Sequence, residues 1–184
     1  MKRVIVPFTE GVEEIELVAV IDILRRAEIK VTMASLDGYA VTGRSNITIQ
    51  PDAALEKVME DDWDMVVLPG GLPNAHLLRD EPNVKSLVER LRKQRKSIAA
   101  ICAAPTALAA YGITEGKNVT SYPAMKEEMQ QLAPSSIYSD DAVVEDDFLI
   151  TSRGAGTAVE FALRLVTKLC SEEKSMEIRQ SIIA

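Results

Sequence analysis

The sequence predicts an α/β fold, with helices covering both faces of a mostly parallel sheet. Short β-rich apolar runs alternate along the chain with longer segments of helical periodicity, which is the order that strand–helix–strand units produce. One run, Ser97–Ile101, consists of five small or apolar residues, as expected of a strand buried on both faces. The chain has 184 residues, is 47% hydrophobic and contains no linker, repeat or low-complexity stretch, so we expect a single domain over residues 1–184.

Each expected element has its own local pattern. The β-rich runs place strands at Arg3–Phe8, Lys30–Ser35, Asp64–Leu68, Ser97–Ile101 and Asn118–Ser121. Helical periodicity places helices at Glu13–Ala27, Pro82–Lys96, Ala103–Tyr111 and Thr157–Cys170. Pro105 suits the first turn of the third helix, and the basic residues that close the second suit the negative end of its dipole. Two segments, Tyr39–Ile49 and Ala142–Ser152, are typical of small antiparallel hairpins added at the sheet edges, the second turning at Asp146–Asp147.

Composition argues against several classes of partner. The formal net charge of −7 repels nucleic-acid phosphates, and the basic cluster Arg90–Lys96 contains no aromatic residue. No apolar run approaches the roughly 18 residues of a membrane span, and Met1–Phe8 is too short for the apolar core of a signal peptide. Two cysteines without C-x-x-C spacing and a single histidine indicate neither a disulfide framework nor a metal site. We therefore expect no nucleic-acid or membrane partner, no metal and a cytoplasmic location.

Cys102 is the first candidate for chemistry, because it lies where a strand is expected to turn into a helix. Free backbone N–H groups and the positive end of the helix dipole favour a thiolate at such a corner. The thiolate is the nucleophilic and oxidisable form of cysteine. We therefore expect its pKa to lie well below the free value of about 8.5, and we expect no such shift for Cys170. The alternative is a buried, unreactive cysteine that only packs.

Glu16 is the second candidate, because helical geometry directs it toward the core. It shares a line along the predicted helix with Val20 and Ile23. A carboxyl group among apolar neighbours has a raised pKa and, when protonated, donates a hydrogen bond to an adjacent anion. The alternative is an acidic residue that only complements the helix N-terminus, a role that suits Glu13 and Glu14.

Two more strand ends carry residues that suit a site. Gly70 and Gly71 follow a buried strand, and such glycines let a backbone approach a ligand and direct N–H groups at an oxyanion, although they also occur in ordinary turns. The segment Thr151–Thr157 precedes the last long helix, but its G-x-G lacks a third glycine and does not follow the first strand, so it does not indicate a dinucleotide site. The only histidine, His76, is expected on the surface of the loop after Gly71.

Four motifs, in order along the chain, resemble the ThiJ/PfpI superfamily and, within it, the branch of DJ-one and YajL-like proteins. They are the segments Gly11–Glu16, Val67–Gly71, Ala99–Thr106 and Thr151–Thr157. Together they extend over nearly the whole sequence. The resemblance implies a flavodoxin-like three-layer sandwich and a homodimer.

The same resemblance implies roles for individual residues. Cys102 matches the reactive cysteine and Glu16 matches its protonated partner, while Gly71 and Ala103 match positions whose N–H groups bind an oxyanion. The candidate substrate-binding and oxyanion-binding residues are Gly70, Gly71, Ala103, Glu13 and Tyr122.

Two departures from the family pattern concern histidine. Tyr122 stands where close relatives often carry a histidine before a proline, and Ala103 stands where the peptidase-like branch has a histidine directly after the cysteine. A cysteine peptidase would therefore lack its usual base. The O–H group of Tyr122 becomes a candidate donor instead.

The function that the resemblance implies for these residues is conversion of a small α-oxoaldehyde, such as methylglyoxal or glyoxal, to a hydroxy acid by glyoxalase-type or deglycase-type chemistry. Cys102 would act as the nucleophile and Glu16 would move the proton between the two carbons, without an external cofactor. The alternative is a redox-sensing, chaperone-like stress protein in which Cys102 is oxidised to a sulfinate that Glu16 hydrogen-bonds. A cysteine peptidase and a family member without activity complete the alternatives.

Overall fold

A computed structural model describes all residues, 1–184, and its central feature is a seven-stranded sheet. The strands are β1 (Arg3–Phe8), β2 (Lys30–Ser35), β3 (Val41–Thr42), β4 (Thr48–Ile49), β5 (Ala53–Ala54), β6 (Met65–Leu68), β7 (Ser97–Ile101), β8 (Asn118–Val119), β9 (Ile137–Tyr138), β10 (Val143–Asp146) and β11 (Leu149–Ser152). The helices are α1 (Glu14–Arg26), α2 (Leu55–Val58), α3 (Asn74–Asp80), α4 (Pro82–Lys93), α5 (Pro105–Ala110), α6 (Lys126–Leu132), α7 (Ala158–Leu169) and α8 (Glu172–Ser181). Short 3₁₀ helices occupy Pro123–Met125 and Ala155–Thr157.

The main sheet has the strand order β10–β11–β7–β6–β1–β2–β5. Every neighbouring pair is parallel except β10 and β11, which form an antiparallel hairpin at one edge. Two apolar cores of 26 buried residues each lie on the two faces, one beneath α1, α7 and α8 and the other beneath the remaining helices. Side chains along β1 point alternately to the two faces of the sheet, so β1 contributes to both cores. Val4, Val6 and Phe8 lie in the first core and Ile5 lies in the second. The layers are those of the expected α/β fold.

The strand order reverses at β1, which lies between β2 and β6. From β1 the chain moves outward to β2 and then returns to β6 on the other side. At such a switch point the loops that follow neighbouring strands diverge and leave a crevice at the carboxyl ends of the strands. The segments after β1, β6 and β7, which carry Glu16, Gly70 and Cys102, therefore border one crevice.

The expected edge features are only partly correct. The Ala142–Ser152 hairpin lies at the sheet edge as expected. The Tyr39–Ile49 hairpin also forms, but β3 and β4 pair only with each other, and β5 is the edge strand instead. The reason is that this hairpin bonds to the segment after β1, where Gly11 N donates to Thr42 O and Arg44 N donates to Val12 O.

The fifth expected strand is also wrong in part. Of Asn118–Ser121, only Asn118 and Val119 are strand residues, and β8 pairs with β9 in a separate two-stranded sheet. Four helices were not among the expected elements. Helices α2, α3 and α6 have four to seven residues, too few to show helical periodicity, and α8 buries only Ser175 and Ile178. None of the helices combines the length and apolar composition that crossing a membrane requires.

Candidate active site

Cys102 occupies the strand-to-helix corner that the sequence predicts. It follows the last residue of β7, and α5 begins three residues later with Pro105 in its first turn. Its φ of 65° lies in the left-handed region, which costs a residue with a side chain on the order of 1–2 kcal/mol. Neighbouring backbone holds this conformation, because Cys102 N donates to Ser152 O at 3.0 Å and Tyr122 N donates to Cys102 O at 2.7 Å.

Glu16 reaches the cysteine from the first turn of α1. Its side chain is completely buried, and its Oε2 accepts a hydrogen bond from Gly70 N at 2.9 Å. The second oxygen, Oε1, is buried with no partner in good hydrogen-bond geometry. Gly70 makes this proximity possible, since a β-carbon there would lie only 2.5 Å from Cys102 Cβ and 2.6 Å from Glu16 Oε2.

The pKa values of both groups are raised. Burial raises the pKa of Glu16 to about 7, and hydrogen bonds from the Cys102 thiol and Gly70 N only partly offset it. Burial also raises the pKa of Cys102 to about 12, together with the charge of Glu16 and the hydrogen bond to it. The N–H groups of Gly71 and Ala103 donate to the sulfur and act in the opposite direction. The two groups therefore titrate as a coupled pair, which carries a single negative charge and a single proton once the pH exceeds about 7.

The expectation that the helix corner, beside a protonated carboxyl group, holds the pKa of Cys102 well below its free value is therefore wrong. The expected N–H groups are present, but burial and the ionised Glu16 outweigh them. Two negative charges in a buried site repel strongly, so the pair does not readily hold a thiolate and a carboxylate together. The thiolate of Cys102 therefore belongs to the protonation state in which Glu16 holds the proton.

The loop after β6 packs tightly against the segment that follows β1. Gly71 has a φ of 88°, and a β-carbon there would collide with Gly11 O and Glu13 N. Asn74, completely buried, braces this loop: its side chain donates to Pro69 O at 2.8 Å and to Gly70 O at 3.0 Å, and accepts from Thr9 N at 2.8 Å. Sequence reasoning missed Asn74, for which the only local signal is a polar residue directly after a proline- and glycine-rich turn.

Glu13 lies beside the site rather than in direct contact with the sulfur. Its N donates to Gly70 O at 3.0 Å, and its carboxylate lies 3.8 Å from Nη1 of Arg44. Arg44, on the β3–β4 hairpin, also acts on Glu16 through its positive charge, which lowers the pKa of that carboxyl against the larger effect of burial. No sequence motif pointed to Arg44.

Tyr122 is half-exposed at the open side of the site, with its ring close to Gly154. Next to it is a depression of about 310 Å³ lined by Tyr122, Pro123, Arg153, Gly154, Ala155, Gly156 and Thr157. His76 is part of α3 rather than a loop, and its Nε2 lies 3.5 Å from Glu128 Oε1 of α6. The structure therefore directs the only imidazole at Glu128.

A cysteine at a strand-to-helix corner, paired with a buried glutamate, defines a class of α/β proteins with a reactive thiol. Residues 2–168 match the DJ-1/PfpI family, and the chain belongs to that family. The match confirms the resemblance carried by the four sequence motifs and, with it, the flavodoxin-like fold.

Relatives resemble the chain over most of its length. Protein dj-1beta of Drosophila melanogaster is 44% identical over 99% of this chain and 97% of its own. The Parkinson disease protein 7 homolog of Danio rerio is 40% identical with the same coverage. A Caenorhabditis elegans protein named glutathione-independent glyoxalase DJR-1.2 is 37% identical over 90% of this chain and 87% of its own. The crystal structure of Drosophila DJ-1beta is similar with a TM-score of 0.95 and 43% identity, covering 100% of this chain and 98% of that one.

Proposed function

We propose that the protein converts small α-oxoaldehydes to α-hydroxy acids without an external cofactor, in the manner of a glutathione-independent glyoxalase. The observation that carries the proposal is the buried Cys102–Glu16 pair at the carboxyl ends of the central strands, where Gly70 N holds Glu16 Oε2 at 2.9 Å beside Cys102. Gly70, Gly71 and Ala103 supply N–H groups to this pair. The name of the C. elegans relative supports the same chemistry.

In the first step, Cys102 is the thiolate and Glu16 is protonated. The sulfur attacks the aldehyde carbon, C1, and the electrons of the C1=O bond move to the oxygen. The N–H groups of Gly71 and Ala103, which donate to the sulfur in the free protein, are near enough to stabilise this oxyanion. Glu16 then gives its proton to the oxygen, which leaves a neutral hemithioacetal and an ionised Glu16.

In the second step, the carboxylate of Glu16 acts as the base. It removes the hydrogen of C1 as a proton, a C1=C2 bond forms, and the C2 oxygen becomes an enolate. Glu16 returns the proton to C2, and the proton on the C1 oxygen passes to the C2 oxygen, so that C1 becomes a thioester carbonyl. Water then attacks C1 and the S–C1 bond breaks. The hydroxy acid leaves as its anion, Cys102 is again a thiolate, Glu16 is again protonated, and one proton is released to solvent.

The test is turnover of methylglyoxal by purified protein, with enantiomer-resolved detection of lactate. We expect Cys102→Ala to abolish turnover, and Glu16→Gln to lower kcat by roughly 10²–10⁴-fold, as for loss of a general acid and base. Cys170→Ala is the matched control and should retain full activity, since Cys170 is exposed after the end of α7. Unchanged turnover in Glu16→Gln contradicts the mechanism. Stoichiometric oxidation of Cys102 by peroxide, without any turnover of aldehyde, would favour the redox-sensing alternative.

We further propose that the protein acts in the cytoplasm as a homodimer. Both cysteines are free thiols, a form that a reducing compartment preserves. A candidate contact surface lies on α1 and α7, where Ile15, Val18 and Val159 are apolar and exposed.

A further inference from the structure

Gly154 leaves an open space directly beside the reactive pair. A β-carbon built on Gly154 would lie 3.9 Å from Cys102 Sγ, 3.9 Å from Glu16 Oε1 and 3.5 Å from Cδ2 of Tyr122. All three are ordinary van der Waals distances. The space can therefore hold one methyl group, in contact with the nucleophile, the proton-transfer oxygen and an aromatic ring at the same time.

The backbone does not require glycine at this position. The φ of Gly154 is 162°, an extended conformation that any residue adopts. Its loop is held by other groups: Gly154 N donates to Thr157 Oγ1 at 3.1 Å, Thr157 Oγ1 donates to Gly154 O at 2.9 Å, and Ser152 Oγ lies 2.7 Å from Thr157 Oγ1. Gly70 differs, because a β-carbon there would lie within 3 Å of Cys102 and Glu16. Glycine at position 154 therefore serves to leave the space beside Cys102 and Glu16 open.

This space coincides with the place that a substrate substituent needs. When the sulfur is bonded to C1 of an α-oxoaldehyde, the substituent on C2 is three bonds from the sulfur. Glu16 must reach both C1 and C2, and its Oε1, buried with no partner in good hydrogen-bond geometry, borders the same space. An adduct with its C2 substituent beside Gly154 therefore places both carbons between Cys102 and Glu16.

We propose that Gly154 is a specificity-determining residue, whose missing side chain receives the C2 substituent and restricts it to hydrogen or a small apolar group such as methyl. The inference rests on the proposed glyoxalase function and adds to it the residue that limits the size of the C2 substituent. Tyr122 bounds the space on the outer side, and Gly154→Ala fills the space with the protein's own methyl group.

The first test compares kcat/KM for glyoxal, which has hydrogen on C2, with that for methylglyoxal. In Gly154→Ala, the methylglyoxal-to-glyoxal ratio should fall about 10-fold or more, the discrimination that one methyl group supports in a fitted pocket. Gly154→Ser adds a side chain at the same position and should also lower the methylglyoxal-to-glyoxal ratio of kcat/KM. Gly156→Ala is the matched control on the same loop, because a β-carbon there meets nothing within 4 Å, and its ratio should stay at the wild-type value. An unchanged ratio in Gly154→Ala overturns the inference while leaving the proposed function intact.

The second test does not depend on turnover. Each aldehyde is titrated as a protectant of Cys102 against iodoacetamide, with labelling measured by mass spectrometry. Gly154→Ala should raise the half-protecting concentration of methylglyoxal about 10-fold and leave that of glyoxal nearly unchanged. This result without turnover would refute the proposed function and keep the space beside Gly154 as a binding determinant. A methylglyoxal-to-glyoxal ratio of half-protecting concentrations that is the same in Gly154→Ala and wild type, or no protection of the wild type by either aldehyde, refutes the inference.

Discussion

At the scale of single residues, the site depends on one carboxyl group in an unfavourable place. Glu16 is completely buried, and a buried carboxylate costs more free energy than a buried neutral carboxyl group. The fold therefore binds the proton of Glu16 more tightly than the unfolded chain does. Chemistry and stability oppose each other at this residue, because Glu16 must ionise during each proposed turnover.

We expect Glu16 to make the free energy of unfolding fall as the pH rises from about 4.5 to about 7, its ordinary and raised pKa values. Below this range, folded and unfolded chains both hold the proton, and the stabilising contribution is fully present. Within it, only the unfolded chain loses the proton, so the contribution is lost as the pH approaches the folded pKa, by on the order of 3 kcal/mol in total. Urea unfolding of wild type and Glu16→Gln at several pH values measures the difference, which should grow with pH in favour of the variant.

Glu56→Gln is the control for this measurement, because Glu56 is exposed on α2. Its stability should run parallel to that of the wild type over the whole pH range. Parallel curves for Glu16→Gln and wild type would mean that Glu16 is not protonated more tightly in the folded protein.

At the scale of elements, the β3–β4 hairpin is fastened to α1 through Glu14. The carboxylate of Glu14 is buried and accepts hydrogen bonds from Ser45 N at 2.8 Å and Ile47 N at 3.4 Å. Burial opposes its ionisation, but these hydrogen bonds and one from its own backbone outweigh burial and lower its pKa. Through this contact α1, which carries Glu16, and the hairpin, which carries Arg44, form one unit.

Glu14→Gln should loosen the hairpin, because an amide replaces the charged acceptor of two backbone N–H groups. We expect a loss of about 1–3 kcal/mol in the free energy of unfolding and faster hydrogen exchange at Ser45 and Ile47. The matched control is Glu10→Gln, since Glu10 accepts from Thr42 N of the same hairpin at 3.1 Å but is exposed. Equal effects of the two substitutions would show that the burial of Glu14 does not strengthen its contribution to the stability of the hairpin.

The sequence predicts those elements that are determined by residues close to one another along the chain. The corner at Cys102 follows from a small apolar strand and a proline suited to a first helical turn, and the inward direction of Glu16 follows from helical periodicity. Glu14 shows the limit. By itself Glu14 suits a helix N-terminus, and its burial depends on a hairpin whose Ser45 is 31 residues further along the chain.

The pKa of Cys102 could not be predicted for a related reason. The corner itself supplies only the N–H group of Ala103, whereas the burial of the sulfur, the charge of Glu16 and the N–H group of Gly71 depend on how α1 and the loop after β6 pack against the corner. The roles of Asn74 and Arg44 likewise exist only once distant segments meet. Packing across the sheet, rather than the local pattern, determines these properties.

At the scale of the whole molecule, the exposed apolar face of α1 and α7 is where we expect a second copy to bind. Ile15, Val18 and Val159 are 58%, 53% and 40% exposed. Val18→Asp should therefore halve the mass measured by sedimentation velocity, because dimerisation would bury an unpaired charge. Ile137→Asp, on β9 and 57% exposed, is the control that should leave the mass unchanged. A wild-type monomer, or equal behaviour of both variants, contradicts this placement.

The reactive site is also built from residues that are far apart in the sequence. Glu16, Gly70, Cys102 and Gly154 come from four distant points, and Cys102 N is held by Ser152 O of β11, the last strand in the sequence. Forming these contacts costs the entropy of closing long loops, which no early-folding fragment can offset. During synthesis, Cys102 emerges well before the strand that fixes its backbone. A growing or partly folded chain thus carries an ordinary thiol, and the glutamate-coupled chemistry begins only when the sheet is complete.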